Sequence, residues 1–392
     1  MFSIAKTCKT YIHSLSVVGK CLLLTTVLGV FLLFFISYSV SKPIKNTITA
    51  PTLQPEKQTI TLLFVGDLMQ HQAQIDAARS ENTYNYDSYF KLVSNEIKKA
   101  DLAIGNLEVT LGGKPYKGYP AFSSPDEFLY AIKEAGFDIL TTANNHCLDR
   151  GSKGGVRTLQ MLDSLNIMHL GTYCDSASRH EHHPLIVNIK NFKLAFIAYT
   201  YATNGIKATP PFQVNYIDTT QIAAELHEAR QHHPDAIIAL MHWGEEYQSL
   251  PSATQKKLAD RLFAQGVTHI IGSHPHVVQP LEVRNDTLTK QKHLLVYSLG
   301  NYVSNMSEPR TDGGIMVKME LEKDSLCRMN HCAYSLVWTL RPRFNEEKTF
   351  SIIPVSQIDS LPEQARYKFL KFIQTTRALF EKHNQHISEY QF

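Results

Sequence analysis

Five apolar runs in this chain end in residue types that can bind a metal, and this recurrence constrains the fold more than any other feature. The first run is TLLFVGD, residues 61–67. Leu62, Leu63, Phe64 and Val65 read as a strand buried on both faces, and Gly66 lets the backbone turn sharply after it. Asp67 then stands at the carboxyl end of a buried strand, the edge where α/β sheets bind ligands. A buried carboxylate there needs a metal, a cation or several donors. Capping of the next helix is the simpler alternative.

Four later segments tip the balance towards a shared site. Asn106 and Glu108 follow LAIG, and Asn144, Asn145 and His146 follow ILTTA. His242 follows AIIALM, and His274 and His276 follow HIIGS. Carboxylate, imidazole and amide oxygen are the donors that a divalent ion takes at a hydrolytic centre. In His274-Pro275-His276 both rings can approach one ion, or one each of two. His146 can act as a general acid beside a ligand at Asn145. Asp149 can orient His146 or cap the helix after it, and Cys147 reads as a small buried hydrophobe.

The wider pattern is layered α/β. Strands are expected at 61–65, 102–105, 139–143, 236–241, 269–272 and 293–298, and helices at 86–100, 125–135, 155–165, 222–232 and 252–265. A hairpin is expected about Lys190 and Asn191. This alternation spans 59–305. Beyond it, 306–392 reads as an antiparallel β appendage, with strands at 314–321 and 336–340, and a terminal helix at 361–383.

Before it, residues 1–20 read as a short amino-terminal segment and 41–58 as a linker with three prolines. Residues 21–40 are almost unbroken apolar, long enough at about 1.5 Å per residue to span a bilayer. Lys6, Lys9 and Lys20 precede that stretch. The expectation is therefore a single-pass anchor in the bacterial cell membrane, with a cytoplasmic amino terminus and an extracytoplasmic main domain.

A net charge of +3 gives no sign of a nucleic-acid binder, for which a basic stripe is expected. Of the 18 histidines, His180, His182, His183, His232 and His233 read as solvated loop residues. Cys327 and Cys332 are close enough in sequence to be either bridged or free. Lys114, Lys117, Arg150 and Lys153 fall in loops near the expected site. There they can meet an anion or simply be solvated. Trp243 and Tyr247 can line a groove or pack in the core.

Six ordered motifs carry a family resemblance: GDLM at 66–69, GNLE at 105–108, TANNHCLDRG at 142–151, MHWGEEY at 241–247, GSHPHVVQ at 272–279 and YSLGNYV at 297–303. Together they resemble the CapA family of poly-γ-glutamate capsule biosynthesis proteins, which is similar to the calcineurin-like metallophosphoesterases. The resemblance implies a four-layer αββα sandwich with a two-metal centre. By motif, Asp67 and His276 would hold the first ion and Glu108 would bridge. Asn145, His242 and His274 would hold the second, with His146 protonating or stabilising the reacting group. It implies one or two divalent ions (manganese, zinc or iron), a metal-dependent hydrolase or a non-catalytic accessory subunit, and an anionic envelope polymer as partner. Membrane synthase or export subunits are the implied protein partners. Two positions depart from the phosphoesterase pattern: Met69 stands where a histidine is usual, with His71 at the wrong spacing, and Glu108 replaces an aspartate.

Overall fold

The computed structural model describes residues 57–392 except 287–289 and 385–386. Besides two short two-stranded sheets, its strands form two large sheets. In chain order they are β1 (Gln58–Leu68), β2 (Leu102–Leu107), β3 (Ile139–Thr141), β4 (Met168–Leu170), β5 (Leu185–Ile189), β6 (Phe192–Thr200), β7 (Ala236–His242) and β8 (His269–Ser273). They continue as β9 (Leu281–Asn285), β10 (Lys292–Val296), β11 (Asn301–Val303), β12 (Gly313–Lys323), β13 (Cys327–Leu340), β14 (Ser351–Pro354) and β15 (Ser388–Glu389). The nine-stranded sheet runs β14-β13-β12-β1-β2-β3-β4, with β11 paired to β1 and β15 to β13. The six-stranded sheet runs β9-β10-β8-β7-β6-β5.

Successive residues of a strand face opposite sides, and the cores separate accordingly. Ile60, Leu62 and Phe64 of β1 meet Leu194, Phe196, Ile238 and Leu240 of the other sheet in a core between the sheets. Leu63 and Val65 face the other way, onto Phe128 and Ile132 of helix Asp126–Ala135 and Leu159 and Leu162 of helix Gly151–Ser164. On the far side, Ile197, Ile237 and Met241 pack on Ile222 and Leu226 of helix Thr219–Gln231 and on Leu258 and Leu262 of helix Ala253–Ala264. The order is helix, sheet, sheet, helix: the expected four layers.

β1, β2, β3 and β4 are mutually parallel, as are β6, β7, β8 and β10. Parallel strands send their carboxyl ends to one edge, which brings the five sequence segments together. β1 extends past the expected end at Val65. Gly66 makes no turn; instead a Cβ there would lie 1.8 Å from the Gly300 carbonyl oxygen. Glycine is required because β11 lies against this point, with the Asp67 amide donating to Gly300 O at 3.1 Å. Gly136 does stop its helix as expected, with φ of 107°.

The helix expected over 86–100 is broken into Asp87–Phe90 and Ser94–Lys99. The strands after residue 306 lie on the edge of the nine-stranded sheet, β12 pairing antiparallel with β1 from Gln58↔Lys323 to Val65↔Met316. Helix Glu363–His383 buries Phe369, Phe372, Ile373 and Phe380 in the core between the sheets. Each such ring contributes about 1.5–3 kcal/mol. Cys327 and Cys332 are free. Five residues apart on one strand, they are separated by roughly 16 Å.

The expected single-pass membrane location is corrected. Among the described residues no helix is long and apolar enough to cross a membrane. The stretch on which that expectation rested, 21–40, lies outside the described residues, so the anchor, the lipid partner and the sidedness drawn from it fall away.

Candidate metal centre

Every strand-end donor expected from the sequence arrives at one buried cluster. Asp67 is held from both sides: Oδ1 accepts from Asn106 Nδ2 at 2.8 Å, and Oδ2 lies 3.1 Å from His276 Nδ1. Asn106 is the hub, its Nδ2 also reaching Glu108 Oε2 and His242 Nδ1, both at 3.3 Å. Thr141 Oγ1 donates to Asn106 Oδ1 at 3.0 Å and fixes the amide's orientation. Asn145 Oδ1 lies 2.9 Å from His242 Nε2, whose other nitrogen is 3.1 Å from Ser273 Oγ.

Two sets of three donors share Glu108: Asp67 with Glu108 and His276, and Glu108 with His242 and His274. Within each set the donor atoms lie within 4.8 Å of one another. Two ligands of one ion, each about 2.1 Å from it, stand roughly 3.0–3.5 Å apart. Glu108 Oε1 stands 3.6 Å from His242 Nε2 and 3.7 Å from His276 Nε2, too far for hydrogen bonds. That oxygen and His274 Nδ1 are buried without any hydrogen-bond partner. Orphaned buried acceptors are rare and costly, and a divalent cation satisfies both; the residues present fit one.

Charge and backbone agree. Burial, and the Asp67 carboxylate beside it, push the Glu108 carboxyl well above its usual range. Burial and the neighbouring imidazoles hold His242 well below its ordinary value and His274 down to about 3. For His276 burial works downward, but Asp67 outweighs it and the pKa rises. A Glu108 carboxyl driven towards neutrality beside the depressed imidazoles of His242 and His274 is what a central cation would reverse. His274 and His276 sit at φ of 98° and 59°, a left-handed conformation that strains a non-glycine residue.

His146 stands beside the ligand cluster. Its Nδ1 lies 2.8 Å from Asp149 Oδ2, which also accepts from the Phe122 amide at 2.8 Å. Asp149 therefore orients His146; the helix after it begins at Gly151, with Arg150 as its N-cap residue and no side-chain cap. Phe122 packs edge-on against the imidazole, centroids 4.7 Å apart. Met69 is buried in the apolar layer behind β1. His71 meets Gln74 Oε1 at 3.2 Å and accepts from the Asn305 amide at 3.3 Å, outside both donor sets. Trp243 belongs to the core, donating to Tyr297 O at 2.9 Å. Lys114, Lys117 and Lys153 are exposed.

Some neighbours were not legible beforehand. Asn301 Oδ1 lies 3.0 Å from His276 Nδ1, Tyr201 packs on His274 with centroids 4.3 Å apart, and Glu246 forms a third donor set with His274 and His276. Asn301 and Glu246 fall inside YSLGNYV and MHWGEEY, which was the available signal.

A layered α/β protein with a metal-competent pocket at its strand ends is the class that fold and site define. Within it, the chain belongs to the family described as "Bacterial capsule synthesis protein PGA_cap", whose model matches residues 61–306. It is 28% identical over 285 residues to the capsule biosynthesis protein CapA of Bacillus anthracis, a match covering 69% of this chain and 66% of that protein. It is 29% identical over 272 residues to the PGA biosynthesis protein CapA of Bacillus subtilis, covering 68% of each. The match thus spans just under two thirds of the B. anthracis protein's length.

Similar solved structures include the NAD nucleotidase of Haemophilus influenzae, at 12% identity and a TM-score of 0.47, covering 86% of this chain and 65% of that one. Another is the calcineurin-like phosphoesterase YfkN of Bacillus subtilis, at 13% and 0.40, covering 83% and 100%.

Proposed function

We propose that the protein is a metal-dependent hydrolase of capsule biosynthesis, acting on an anionic envelope polymer such as poly-γ-glutamate. The observation that carries this reading is the pair of donor sets sharing Glu108, with Glu108 Oε1 and His274 Nδ1 left without partners. Asp67, Glu108 and His276 would hold one divalent ion; Glu108, Asn145, His242 and His274 would hold the other. Bound there, such ions would supply an activated water and positive charge for the oxygen of the amide carbonyl that the water attacks. The chain's own task is to position donors and move a proton. Asp149 pins His146 through Nδ1, leaving Nε2 to protonate the leaving group, and Phe122 keeps water from one face of the ring.

The test is the metal content of the full-length protein, purified without chelator or histidine tag. The expected result is one or two equivalents in the parent and a clear loss in His274→Ala/His276→Ala, which leaves the surface histidines untouched. Parent and variant equally metal-free would end the hydrolase reading. The second reading, a non-catalytic subunit that serves a polymer synthase or exporter, draws its support from Met69, an apolar residue where a ligand is usual.

A further inference from the structure

A second polar site lies outside the metal centre. A cavity of about 260 Å³ opens between the 307–312 loop, the end of β13 and helix Glu363–His383. Five cations line it: Arg310, Arg341, Arg343, Lys368 and Lys371. Two acids, Glu308 and Asp312, line it too, but Asp312 Oδ2 is engaged by Trp338 Nε1 at 2.9 Å. Among the described residues none of the five cations makes an ion pair, although twelve salt bridges elsewhere join Lys or Arg to a carboxylate. In a chain whose net charge is +3, this gathering of unpaired positive charge is local. Arg341 Nε is buried with no hydrogen-bond partner.

The helix explains how the cations come together. Its apolar face enters the core, Phe369 stacking on Trp338 at 5.6 Å, so Lys368 and Lys371, three residues apart, stand side by side on the outer face. Side-chain contacts lead from the cavity lining to the metal centre. Arg310 reaches Tyr247 O at 3.5 Å, and the Tyr247 ring lies 6.3 Å from that of His276. Arg341 donates to Met306 O, and Asn301, the partner of His276, donates to Met306 Sδ at 3.4 Å.

We propose that this cavity binds a carboxylate-bearing stretch of a linear anionic polymer, holding it while a neighbouring bond lies at the metal centre. The proposal rests on the reading of the substrate as such a polymer. Spaced guanidinium and ammonium groups suit a chain bearing one carboxylate per repeat, and their charge is not already neutralised by an ion pair within the protein.

The experiment measures binding of a fluorescent poly-γ-glutamate decamer to the full-length protein by anisotropy at low and moderate salt. Arg343→Ala/Lys368→Ala/Lys371→Ala is compared with Lys91→Ala/Lys256→Ala/Lys257→Ala, which removes the same charge from exposed positions elsewhere. The expected result is salt-dependent binding that weakens about tenfold in the cavity variant and less than twofold in the control. His274→Ala/His276→Ala should keep most of the binding, so the cavity stands or falls apart from the hydrolase reading. Equal affinity in parent and cavity variant, equal loss in the control, or binding of an oligophosphate but not the polyglutamate would overturn the proposal.

Discussion

Two buried clusters of titratable side chains stand in this molecule, each built around a glutamate and histidine, and they differ in how fully their polar atoms are paired. The first is the strand-end cluster of Asp67, Glu108, His242, His274 and His276. The second lies on the outer face of the six-stranded sheet, where Glu225 meets Arg179, His183 and Tyr199. In the second every donor has its acceptor. Glu225 Oε2 takes His183 Nε2 at 2.8 Å and the Tyr199 hydroxyl, while Oε1 takes Arg179 and Gln221 Nε2, the latter at 2.8 Å. Tyr173 Oη completes His183 at 3.1 Å. In the first, an oxygen and a nitrogen have no partner, and two histidines adopt left-handed backbone. Both clusters are buried, so burial does not identify a functional site; what separates the two is incomplete satisfaction of the first.

The comparison can be broken by exchanging what each cluster is asked to support. His274→Ala should lower hydrolysis of the proposed substrate on the order of 10³-fold. The metal-free protein should lose about 2 kcal/mol of stability through the ring's packing against Tyr201, with no hydrogen bond lost at His274 Nδ1. Glu225→Ala should do the opposite. It strands Arg179 and His183, and a broken buried pair costs about 3 kcal/mol, read as a lower urea midpoint, with metal content and hydrolysis unchanged. A Glu225 variant that loses metal, or a His274 variant that unfolds as readily, would erase the distinction. A finer cut comes from Asp149→Asn. It keeps the shape but removes the charge that orients His146, so turnover should fall roughly 10–100-fold while bound metal stays constant.

The same contrast shows what the sequence could yield. Asp67, Glu108, His146, His242, His274 and His276 were legible because each follows a short apolar run, and parallel strands deliver such positions to one edge whatever the connections do. The layering was legible for the same reason. His183 was misread as a solvated loop residue beside His180 and His182; it is 4% exposed, and only the approach of Glu225, 42 residues on, distinguishes it. The 86–100 segment carries helical spacing throughout, yet Val93 stands between two short helices, a break that spacing does not report. Strands β11 and β14 are three and four residues long, too short for a period to register. The basic cavity draws its cations from three segments between residues 310 and 371. Its charge concentration therefore exists only in three dimensions.

The smallest predicted effect concerns acid. Burial pushes the Glu225 carboxyl up, but the His183 imidazole, the Tyr199 hydroxyl and Arg179 outweigh it and take it down to about 2. The folded carboxyl thus titrates below its unfolded value of about 4.3. Its contribution to stability is complete above about pH 5 and drains away as the pH falls towards 2. Glu225→Gln has no such charge to lose. The gap between parent and variant urea midpoints should be widest near pH 6 and should narrow steadily on acidification, because a protonated glutamate and a glutamine offer similar bonds. Measuring in chelator removes the proton linkage of metal binding from both curves. Parallel curves from pH 6 to pH 3 would mean that the charge on Glu225 is not what holds that cluster. The two buried clusters would then have to be told apart by geometry alone.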